Sequence, residues 1–78
     1  MSEDQLMNED GKLRARVVST LARDEATGLL DGYLDEFRTL RTALESATNP
    51  QHVQFAKMRM GVLKENMDLL RTRLEGEA

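Results

Sequence analysis

Cysteine and tryptophan are absent from this 78-residue chain, proline and histidine occur once each, and only Tyr33, Phe37 and Phe55 are aromatic. Without cysteine no disulfide can staple the fold, and one histidine with no thiolate excludes the usual structural zinc sites. A chain this short sits near the lower limit for a self-sufficient core, so oligomerisation or docking onto a larger protein is the remaining common remedy. No apolar run approaches the roughly 18 residues that cross a bilayer, and Met1 to Asp10 is acidic where a secretory leader would be basic. The expectation is a cytoplasmic protein without a membrane role, or one in a host cytoplasm or virion if phage-encoded.

What is present is helical in kind: Leu, Arg, Glu, Ala and Met dominate, and helix breakers are few. The longest signal is a heptad stripe, Val53, Ala56, Met60, Leu63, Met67, Leu70 and Leu74, which predicts a helix over about 50–75 with one buried seam. A second stripe, Leu30, Tyr33, Phe37, Leu40, Leu44 and Ala47, predicts a helix over about 24–47. Between them Asn49 is a good N-cap and Pro50 suits a first helical position, so the two helices should meet at a tight turn. The fold class read from this is all-α, an antiparallel helical hairpin resembling a coiled coil, with an N-terminal helical extension over about 3–23.

Ser2 with Gln5 matches a capping box, and Met1 with Leu6 a hydrophobic staple, which would start the extension at Glu3. Its apolar positions are Leu6, Leu13, Val17 and Leu21, and Gly11 weakens it as a helix. From Val18 the stripe changes side. Either the helix runs on, continuous or merely kinked, with two faces, or it breaks near Thr27, Gly28 and Gly32; the continuous form is favoured.

The last helix carries a second apolar face, Phe55, Met58, Val62 and Leu69, interrupted at Glu65 and Asn66. A two-helix hairpin needs one seam, so a second asks for another covering surface: Leu13, Val17 and Leu21 of the same chain, a copy of the chain, or a foreign protein. These seven residues form the candidate interface. Met58, Met60 and Met67 fit an accommodating surface but fit ordinary core packing better.

Nothing in the chain nominates a catalytic group, cofactor or small-molecule substrate. His52 lies in the first turn of the last helix with no partner in view. Asp31, Asp35 and Glu36 lack the Glu-x-x-His companions of a di-iron bundle and read as a solvated face. Lys12, Arg14, Arg16 and Arg23, joined by Lys57, Arg59 and Lys64, are candidate phosphate contacts, yet the net charge is −3 and no nucleic-acid motif accompanies them. Pairs at helical spacing, Arg41 with Glu45, Lys64 with Asp68, Arg71 with Glu75 and Arg73 with Glu77, favour a salt-bridged surface. The leading expectation is therefore a non-enzymatic assembly protein, an adaptor, inhibitor or structural component of bacterial or phage type, that buries its second face against copies of itself or a larger protein. The alternative is a small dimeric regulator that binds nucleic acid through the basic positions.

Overall fold

The structure, a computed structural model, describes Met7 and residues 11–76. The capping box at Ser2, the staple of Met1 and Leu6, the helix start at Glu3 and the Arg73 pairing with Glu77 fall outside those residues. Among the described residues three helices follow in order: α1, Ala15–Val18; α2, Arg23–Ser46; and α3, Pro50–Glu75. Helices α2 and α3 form the antiparallel hairpin.

The turn between them has the chemistry its sequence requires. Asn49 stays extended and its side-chain oxygen accepts from the Gln51 N–H at 2.9 Å, while Pro50 opens α3 where an N–H would have had no intrahelical acceptor. Only Ala47 to Asn49 lie outside the two helices there. At the other end α2 is capped by half a capping box. The Glu25 carboxylate accepts from the Ala22 N–H at 3.4 Å, but alanine has no side-chain oxygen to return the bond.

The N-terminal extension departs from expectation. The helix predicted over 3–23 is, among the described residues, one turn at Ala15–Val18, flanked by extended residues before it and a turn at 19–22 after it. Gly11 has φ +79°, a left-handed conformation that an L side chain resists, and Met7 pairs with Leu13 in an antiparallel bridge. The chain thus reverses direction between Met7 and Leu13. Helix α1 stops because Ser19 and Thr20 turn their hydroxyls back onto the Arg16 and Val17 carbonyls, both at 2.7 Å. The favoured continuous helix is therefore corrected: the break falls at 19–22, and Gly28 and Gly32 sit undisturbed inside α2.

The core gathers where residues 11–22, which form a strap, cross the hairpin. Leu13, Val18 and Leu21 join Ala26 and Tyr33 of α2 and Leu63, Met67 and Leu70 of α3 in one buried cluster. Val18 rather than Val17 faces inward with Leu13 and Leu21, because helical phase does not persist across the break. Burial pushes the Tyr33 phenol above its usual value, partly offset by the nearby Arg59 guanidinium. Its hydroxyl lies 3.8 Å from the Met7 sulfur.

Candidate interaction surface

Three side chains of α3 hold the strap. Asn66, fully buried, accepts from the Leu13 N–H at 2.8 Å through Oδ1 and donates to the Gly11 carbonyl at 3.0 Å through Nδ2. Arg73 donates to the Leu21 carbonyl at 2.6 Å, and Lys12 meets Glu65 at 3.1 Å. The strap needs such anchors because its backbone lacks the regular hydrogen bonding of a helix or sheet. In the sequence Asn66 looks like a mere interruption of an apolar stripe. The signal that points to its role is Asp10-Gly11, a turn dipeptide that implies a returning backbone in need of partners.

Beyond the strap, Glu36 and Arg59 tie the two long helices together. Arg59 Nε and Nη2 donate to the two carboxylate oxygens of Glu36 at 2.7 and 3.1 Å. The hydrogen bonds from Arg59 hold the Glu36 carboxyl below its ordinary range, and the same bonds hold Arg59 further in its charged form. Glu36 is thus corrected from a solvated face to a tertiary contact. The helical-spacing pairs Arg41 with Glu45, Lys64 with Asp68 and Arg71 with Glu75 do not close among the described residues; Lys12–Glu65 and Arg59–Glu36 join distant segments instead.

From Glu36–Arg59 toward the turn, the molecule is a bare two-helix tip roughly 15 Å long, at 1.5 Å per residue. Of its described residues only Ala56 is buried; Phe37, Leu40, Leu44, Val53 and Ala47 are half-buried at best. Phe55 and Met58 are 69% and 67% exposed. Helical phase relates this tip to the strap. At about 100° per residue, Phe55, Val62, Asn66 and Arg73 lie within about 20° of one line along α3, with Arg59 about 40° away. The line that carries the strap's anchors in the base therefore continues to Phe55 at the tip, where none of the described residues of the strap reaches it.

The predicted second face is divided accordingly. Leu69 is half-buried beside α1, in an open cleft of about 460 Å³ where Ala15, Val18 and Ser19 face Asp68, Leu69 and Thr72. Val62 is half-buried; Phe55 and Met58 stand open. Leu13 and Leu21, candidates either to cover this face from within the chain or to join an interface with a partner, lie inside the chain's own core, and Val17 is half-buried at its edge. Met67 is core, Met60 half-buried. His52 is exposed in the first turn of α3.

Of the candidate phosphate contacts, Lys12 is engaged by Glu65, while Arg14, Arg16 and Arg23 are exposed. The acids Glu65 and Asp68 line the cleft beside α1, so that flank carries both signs. Among the described residues no group of three or more His, Cys, Asp or Glu side chains is placed to hold a metal ion, and no helix is long and apolar enough to cross a membrane. No protein-family model, curated protein or solved structure matches this chain.

Proposed function

We propose that this chain is a helical assembly module, an adaptor or structural component without catalysis, whose working surface is the bare tip of the hairpin. The observation that carries this reading is the exposure of Phe55 on the line that the strap covers elsewhere. A fully buried phenylalanine is worth about 1.5–3 kcal/mol over an exposed one, so a partner that covers the tip recovers stabilisation the monomer forgoes. The polar anchors of the base act separately, closing the core and leaving the tip as the unfinished end.

Nucleic-acid binding is the second reading, and no observation favours it over a protein partner. Lys12 is held by Glu65, and acids share the α1 flank.

Native mass measurement of the purified chain, and of the chain recovered from its own cells, tests the proposal. The expected result is a complex of whole-number stoichiometry, of copies or with one other protein, that Phe55→Glu abolishes while helicity by circular dichroism is retained. A wild type that is monomeric in both settings, or a complex indifferent to Phe55→Glu, overturns it.

A further inference from the structure

We propose that the side of the hairpin turned away from the strap binds an acidic amphipathic helix of a protein partner. Its carboxylates meet Arg38, Arg41, Lys57 and Lys64 while its apolar stripe lies along Leu34, Phe37 and Met60. This surface is separate from Phe55 and goes beyond the reading of the tip.

Helical phase defines the side. On α3 the buried line runs through Leu63 and Leu70. Asn66 and Arg73, which hold the strap, lie about 50–70° to one side of it; Met60, Lys64 and Lys57 lie about 70–130° to the other. On α2 the buried line runs through Ala26 and Tyr33. Glu36, bonded to Arg59, lies about 70° to the strap side, and Phe37, Arg41, Leu34 and Arg38 lie about 30–130° to the other. The Glu36–Arg59 contact also sets the register of the antiparallel pair, which puts Arg38 level with Lys57 and Leu34 level with Met60 and Gly61.

The first ground is unanswered charge. Arg38, Arg41, Lys57 and Lys64 are exposed, and none of them closes an ion pair with a described residue. Helix α3 holds no Asp or Glu from Pro50 to Lys64, and Glu36 faces the strap side. Asp35 lies about 60° beyond Arg38, toward solvent, and Glu45 and Asp31 mark the two ends of the patch. Positive charge is thus gathered over about 12 Å of a chain whose net charge is −3. An anionic partner relieves the mutual repulsion of these groups.

The second ground selects the kind of anion. Leu34, Phe37 and Met60 are half-buried along the seam that the cations flank. A duplex phosphate backbone offers nothing to that seam, and a single strand needs exposed aromatic rings to stack upon. Phe37 is half-buried, and Phe55 lies about 160° round α3 from Lys57. An anionic bilayer needs large apolar side chains projecting on the cationic side; the exposed ones, Phe55 and Met58, lie about 100° or more from Lys57 and Lys64. A helix with carboxylates on both flanks of an apolar stripe answers the cations and the seam together, and makes the back of the hairpin a three-helix layer.

A synthetic helix of about three heptads, with leucine at a and d and glutamate at e and g, is the probe. Titrated into the isotope-labelled full chain, it should shift the amide signals of Leu34, Arg38, Arg41, Lys57, Met60 and Lys64. The double variant Lys57→Glu with Lys64→Glu, checked for helicity by circular dichroism, should bind it about tenfold more weakly. The same peptide with lysine in place of glutamate should reverse that preference. Arg16→Glu on the strap and Phe55→Glu at the tip should bind the acidic peptide as wild type does. No shifts, shifts confined to the strap side, or an affinity unchanged in the double variant overturns the proposal. So does a DNA duplex, or a vesicle of phosphatidylglycerol, that shifts the same amides at lower concentration than the peptide.

Discussion

Asn66 serves the Leu13 backbone as a neighbouring strand would: its carboxamide accepts the Leu13 N–H at 2.8 Å and returns a bond to the Gly11 carbonyl at 3.0 Å. One side chain thus satisfies a donor and an acceptor two residues apart, which requires the backbone to be extended there. Replacing it by leucine keeps the volume but leaves both groups without that partner inside the protein. At about 1–3 kcal/mol per unsatisfied buried group, Asn66→Leu should lower stability by about 2–4 kcal/mol. Urea unfolding checks the magnitude, and hydrogen exchange should show the Leu13 amide losing protection first.

Two glycines should respond to alanine with opposite signs. Gly11 has φ +79°, and a Cβ there would come within 3.1 Å of Arg59 Nη1, so Gly11→Ala should cost about 1–2 kcal/mol. Gly28 lies within α2 with open space where its Cβ would go, so Gly28→Ala should stabilise by about 1 kcal/mol. Denaturation midpoints of the two variants measure both.

The incomplete cap of α2 offers a gain. Serine at position 22 supplies the oxygen that alanine lacks, opposite the bond Glu25 already makes. Ala22→Ser should raise stability by about 0.5–1 kcal/mol, and the further change Glu25→Ala should remove part of that gain. Thermal unfolding of the single and double variants reads the coupling.

The hairpin was legible in the sequence because two heptad stripes, Asn49 and Pro50 all agreed; the helices run within a residue or two of the ranges their periodicity implies. The strap was not, because Leu13, Val17 and Leu21 recur at four-residue spacings that mimic a helix. The contrary signs were local: Asp10-Gly11, and the run Val17-Val18-Ser19-Thr20, all weak helix formers. The second apolar face was recognisable as a set, but its division was not. Whether Leu69 or Phe55 is covered depends on where the strap ends, a tertiary fact that no spacing on α3 records.

The ion pair between the long helices should leave a trace in the pH dependence. The folded-state pKa of Glu36 is depressed by the hydrogen bonds from Arg59. Its contribution is therefore complete above the unfolded carboxyl's pKa and is lost as pH falls through the lower folded value. Because the pair is partly exposed, the loss should be no more than about 1 kcal/mol. Glu36→Gln should flatten this acid limb in urea midpoints taken at successive pH values.

The most direct test of the bare tip as the working surface is the native mass of the chain recovered from its own cells, wild type beside Phe55→Glu. Wild type should be recovered in a complex of whole-number stoichiometry, and Phe55→Glu as the 8.9 kDa chain with its helicity retained. A wild type recovered at 8.9 kDa, or a complex that Phe55→Glu leaves intact, would contradict the account.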